Sequence, residues 1–128
     1  MATLTEIQTE IHNLLIAGVG SMVATYASTD PIIGLSPLPE ITGVSLPAVS
    51  YRISTVDQPF GITDSRWIVN CYAETTFASM ELGQAVSNIF RDAMHGDNIG
   101  FNTEANILSQ IPEPGATNTP VSVRAIAI

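Results

Sequence analysis

Apolar residues recur at three- and four-residue steps in two parts of the chain. Leu4, Ile7, Ile11, Leu14 and Leu15 fall on one face of a helix, and Glu6, Gln8, Glu10 and Asn13 largely on the other. Thr3 and Glu6 stand ahead of that stripe at capping-box spacing. Gly18 and Gly20 weaken the helix. Residues 21–27 read as a further helical piece or an extended one, with helix favoured. A second stripe of Leu82, Ala85, Val86, Ile89, Phe90, Ala93 and Met94 predicts a helix over 76–95. Thr75 or Thr76 can cap it, and Gly96 would stop it.

Between and after the helices the period changes to two. In 48–56, Val49, Tyr51, Ile53 and Thr55 share one face, and Ser50, Arg52 and Ser54 take the other. In 62–73, Trp67, Val69, Cys71 and Ala73 alternate with Arg66, Ile68, Asn70 and Tyr72. Both sets are partly apolar, as in a central strand or one covered on both sides. The intervening Asp57-Gln58-Pro59-Phe60-Gly61 is a hairpin connection, with Phe60 at its tip and no evident core for it to join. A second hairpin is predicted from the alternation over 103–111, the turn-forming stretch 112–118, and the alternation of Val121, Val123, Ala125 and Ala127. The order α-β-β-α-β-β predicts an α+β fold. Its single domain over 1–128 has a mixed or antiparallel sheet packed by two helices.

Residues 28–47 break both periods. Pro31, Pro37, Pro39 and Pro47 remove backbone donors, and Gly34 and Gly43 loosen what remains. The stretch is nevertheless apolar, with Ile32, Ile33, Leu35, Leu38 and Ile41 in it. An irregular, greasy connection of about twenty residues must lie on its own core or on another chain.

Composition sharpens this picture. The 128 residues are 45% hydrophobic and only 12% charged, about half the usual share of charge. A domain this poor in charge suits burial of its surface in an assembly. Asp and Glu number 12 against four cations, all arginine (Arg52, Arg66, Arg91 and Arg124), for a net charge of −8. Four scattered arginines do not make the basic face that nucleic acid or an anionic membrane requires. No apolar run of 18 residues suggests a transmembrane helix, and no signal-peptide pattern stands at the N-terminus. Folding in a cytoplasm is the expectation. The single cysteine, Cys71, excludes an intramolecular disulfide, and its apolar neighbours predict a buried thiol.

The sequence offers little catalytic chemistry. It contains no G-x-S-x-G, P-loop, G-x-G-x-x-G, H-E-x-x-H or C-x-x-C motif. Asp92, His95 and Asp97 are the best metal candidates, yet a histidine in a last helical turn and an aspartate beside Gly96 have ordinary structural explanations. Glu74 and Glu81 suit the N-terminal dipole of the second helix. A Cys71 nucleophile would need a base and an electropositive setting that a mid-strand position does not promise. No catalytic residue, metal or cofactor is expected.

The chain resembles the tail terminator (tail-completion) proteins of long-tailed bacteriophages. The likeness rests on the short amphipathic N-terminal helix and the Pro-rich connection ending in Leu46-Pro47-Ala48-Val49. It rests too on the strand Arg66-Trp67-Ile68-Val69-Asn70-Cys71-Tyr72-Ala73 that leads into a helix containing Met80-Glu81-Leu82-Gly83-Gln84-Ala85-Val86, and on the closing hairpin. The apolar connection over 28–47 is longer than the family pattern.

The resemblance implies a structural virion protein without turnover. Six copies would form a ring that caps the tail tube, ends its polymerisation and joins it to the head-side connector. DNA would pass through the lumen without specific binding, and no membrane would be involved. The partners implied are other copies of the chain, the tube protein and the connector. Interface candidates are Ile32, Ile33, Leu35, Leu38 and Ile41 in the connection, Asp57, Gln58, Pro59 and Phe60 at one hairpin tip, and Glu113 and Pro114 at the other. Another neck or tail part, such as a connector or tube subunit, is the alternative. A small ligand-binding or enzymatic α+β domain is a more distant one.

Overall fold

A computed structural model describes residues 3–26, 28–36, 45–91, 98–103, 109–113 and 115–128, and the backbone of 93–95. The fold is α+β. Helix α1 (Leu4–Val19) is followed by strands β1 (Ile33–Leu35), β2 (Ala48–Asp57) and β3 (Thr63–Ala73). Helix α2 (Thr76–Phe90) leads into β4 (Ala93–His95), β5 (Ile99–Thr103), β6 (Ile111–Glu113) and β7 (Ala116–Ala127). One mixed sheet runs in the order β1-β2-β3-β7-β5-β4, and β6 pairs with the start of β7. The β1–β2 pair is parallel and the other pairs are antiparallel.

Both helices begin as their sequences dictate. Thr3 Oγ1 accepts from the Glu6 amide at 3.2 Å, and Thr75 Oγ1 from the Ala78 amide at 3.2 Å. These bonds satisfy amides that a first turn leaves without a carbonyl. The buried stripe of α1 is Ile7, Ile11, Leu15 and Val19. It meets Leu82, Val86 and Phe90 of α2 over Val49, Tyr51, Trp67, Val69, Val121 and Val123 of the sheet. Both helices thus cover one sheet face. The other face carries the alternate residues, among them Arg66, Ile68, Ser122 and Arg124.

Four sequence expectations about these elements need correction. Residues 21–26 are not helical: the chain turns after Val19, and Thr25 bridges Pro31 in an extended arrangement. Ala27 lies outside the described residues. The connection over 28–47 is not irregular throughout, because Ile33–Leu35 forms β1 against Val49–Tyr51. A backbone relay fixes that edge, with Ala24 donating to Pro47, Ile32 to Ala24 and Val49 to Ile32 at 2.8–3.0 Å.

The second helix stops at Phe90 rather than running to 95. Arg91 is extended, and Ala93–His95 pairs with Ile99–Phe101. Phe90 explains the break. It is wholly buried and packs edge-on to Phe101 at 5.5 Å, anchoring the helix end above β5 where the chain adds a strand pair to the sheet edge. Tertiary pairing here overrides a helical pattern that Ala93 and Met94 would have continued. The closing hairpin is also tighter than predicted, since 112–113 and 116–118 belong to β6 and β7. The alternation expected over 104–108 falls outside the described residues.

Candidate functional site

The β2–β3 hairpin outruns the core that covers its base. The first four residues of β2 are buried and the last six are exposed. Up to Ile53 the pairing is regular, with Val49 opposite Cys71, Tyr51 opposite Val69 and Ile53 opposite Trp67. A bulge between Ile53 and Thr55 then shifts the register, setting Val56 opposite Ser65 and Asp57 opposite Asp64. A bulge adds twist and re-aims the strand beyond it.

Phe60 occupies the tip of this arm. The turn over Pro59–Gly61 closes through the Ile62 amide, which donates to the Pro59 carbonyl at 3.0 Å. Phe60 is left-handed at φ 51° and ψ 42°, and Gly61 has φ 80°. Its side chain is 103% exposed, more than in an open reference peptide. A left-handed backbone costs a non-glycine residue about 1–2 kcal/mol, and an unburied phenyl ring returns none of it in a single copy. Asp57, Gln58 and Pro59 are exposed beside it.

A shallow groove of about 320 Å³ opens at the base of the same arm. Leu4, Gln8, Leu35, Arg52 and Ile53 line it with Trp67. Leu4, Leu35 and Ile53 are exposed apolar side chains, at 37%, 49% and 38%. Trp67 is 4% exposed, held by its indole N–H donating to Ser65 Oγ at 2.9 Å. Alternation alone could not disclose this groove. It assigns Ile53 to the covered face correctly, but not the point where the helical cover ends.

The interface candidates divide accordingly. Leu35 reaches the groove, and Asp57, Gln58, Pro59 and Phe60 form the tip. Ile32 and Ile33 are corrected: they are 1% and 5% exposed and are taken by the chain's own core, Ile32 with Ala48 and Ile33 in the main cluster. Glu113 is half-buried near Tyr72. Leu38, Ile41 and Pro114 lie outside the described residues.

The titratable groups are mostly structural in placement. Burial raises the Cys71 thiol far above its ordinary value, and Cys71 is 0% exposed. Burial also raises the phenols of Tyr51 and Tyr72, opposed by hydrogen bonds from Gln8 and Ser50 respectively. His12 Nδ1 lies 3.0 Å from the Tyr51 hydroxyl. Glu74 and Glu81 are exposed. Among the described residues no three His, Cys, Asp or Glu side chains come together as metal ligands. The side chains of Asp92, His95 and Asp97 are outside that set. Among the described residues no helix is long and apolar enough to cross a membrane.

The open sheet face gathers three of the four arginines. Arg66 and Arg124 are directly paired across β3 and β7, and Arg52 stands opposite Ile68 on β2. Asp64 accepts from Arg124 in a forked bridge, which holds its carboxyl below the usual aspartate value. No protein-family model matches the chain, and no curated protein matches its sequence.

Proposed function

We propose that this chain is a structural assembly subunit of the tail-terminator type. In this reading six copies close into a ring on the end of a phage tail tube, halt its growth and offer a face to the head-side connector. The protein would act in the virion, at the neck, without turnover or cofactor. The observation that carries the reading is Phe60: an aromatic ring held fully in solvent, on a strained backbone, at the end of an arm that leaves its own core. Such a feature costs an isolated subunit stability and gains value when a partner buries it.

Two further features support the reading. The sparse charge leaves apolar side chains such as Phe60, Phe77 and Leu35 on the surface, as suits a subunit completed by neighbours. Six copies at −8 each would bring 48 negative charges to the ring, which favours free passage of DNA over its retention.

The test is a phage carrying Phe60→Asp. Loss of tail completion with retained subunit folding is expected. Normal tails, or a particle image with no density for the chain at the head–tail junction, would overturn the proposal.

A further inference from the structure

We propose that the Glu74–Phe77–Glu81 ridge of α2 in one copy docks on the Arg52–Ile68–Arg66 patch of the open sheet face in the next. This contact rests on the reading of the chain as a self-assembling subunit and specifies one way its copies join.

Phe77 serves neither the core nor the start of its helix. It is 78% exposed, while α2 buries Leu82, Val86 and Phe90. With Thr75 as N-cap, the two positions that would form a hydrophobic staple are Glu74 and Ser79, so Phe77 takes no part in one. Two exposed carboxylates flank the ring. Glu74 precedes it by three residues, and Glu81 follows one turn later, about 6 Å along the helix axis.

The sheet patch has the same arrangement with the opposite sign. Ile68 is half-buried on the open face. Arg52 stands directly opposite it on β2, about 5 Å away between the backbones. Arg66 stands two residues back along β3, about 7 Å away. Both arginines are exposed. Each surface is therefore one apolar side chain between two like charges, at closely similar spacing.

A single copy cannot close this contact on itself. The helices cover one face of the sheet, α2 turns its ridge away from that face, and the arginines stand on the other. Neither helix contains lysine or arginine, and the chain has no lysine at all. The open face holds three of the four arginines, so it is where a second copy offers cations to the ridge. Glu74, Glu81 and Arg52 have no ion-pair partner among the described residues. Opposite charges around an apolar contact fix register and partner choice. The contact joins two different surfaces of the same chain, so it is heterologous and propagates to a closed ring or an open file.

Mixing charge-reversed chains tests it. One variant carries Glu81→Arg and another Arg52→Glu; both positions are exposed, and unchanged urea midpoints check that the subunit still folds. Either variant alone sets like charges against each other, and its self-association in sedimentation velocity is expected to fall about tenfold or more. In an equimolar mixture each ridge meets a face of opposite sign, and association is expected to return in assemblies that contain both variants. Phe77→Ala is expected to weaken association with the urea midpoint unchanged.

The failures are distinguishable. If the wild type assembles while the single variants associate as it does, or the mixture does not recover, or Phe77→Ala has no effect, this contact is overturned and the assembly reading stands. Wild-type chains that stay single at every concentration overturn both. Open filaments that form only from the mixture keep the contact and overturn the closed ring.

Discussion

Asp64 on β3 accepts both prongs of the Arg124 guanidinium from β7, Nε at 3.0 Å and Nη2 at 2.7 Å. The bridge lies where strand register sets Asp57 opposite Asp64, so one of two facing carboxylates is neutralised at the root of the Phe60 arm. The side chains are 42% and 19% exposed for Arg124 and Asp64, so solvent screens the pair and its worth is about 1 kcal/mol or less.

The lowered Asp64 titration gives that contribution a pH signature. The folded carboxyl titrates below its unfolded value of about 3.9. Its stabilisation is therefore complete above that value and is lost as pH falls through the lowered one. Urea midpoints of the wild type and Asp64→Asn are expected to differ by a constant small amount from pH 7 to about pH 5, and to converge below about pH 4. A gap that widens in acid would contradict the assignment.

Ile32 and Leu35 separate core from contact surface within one short segment. Ile32→Ala is expected to cost about 2–5 kcal/mol in denaturant unfolding, because the side chain is 1% exposed. Leu35→Ala is expected to leave subunit stability within about 1 kcal/mol while weakening self-association, because Leu35 is 49% exposed.

Gly18 lets α1 approach α2 closely. A Cβ there would fall 2.6 Å from Ile89 Cγ1 and closer still to Cδ1. Alanine is the better helix former by about 1 kcal/mol, so the close approach decides the outcome. Gly18→Ala is expected to lower stability in the native chain and to raise it in an Ile89→Ala background. A coupling energy of about 0.5 kcal/mol or more in the double-mutant cycle is the check.

Cys71 is expected to be inert to thiol reagents in the folded chain, at neutral pH and at pH 9 alike. It is wholly buried and its thiol is held protonated by that burial. Labelling should follow the denaturant unfolding curve, and fast labelling of the native protein would contradict the placement of β3 at the centre of the sheet.

Much of the fold was legible because period and burial agree in its central elements. Ile7, Ile11 and Leu15 on α1, and Trp67, Val69 and Cys71 on β3, each repeat at the spacing of the surface they bury. The end of α2 was not legible. Ala93 and Met94 extend the helical stripe, while the strand pairing that claims them depends on Phe101 and β7, partners remote in sequence. Strand β1 was hidden for a related reason: three residues cannot establish a period, and Ile33–Leu35 becomes a strand only against Val49–Tyr51. The tip was visible as a turn with a stray phenylalanine. The groove was not, because Leu4, Leu35 and Ile53 come from three separate elements.

The central claim is that copies of this chain complete one another. Electron microscopy of the purified protein, concentrated towards about 1 mM so that contacts of only about 4 kcal/mol are populated, tests it most directly. Closed rings with six-fold symmetry are the predicted result, lost in Phe60→Asp. Single subunits at every concentration, or open stacks without closure, would contradict it.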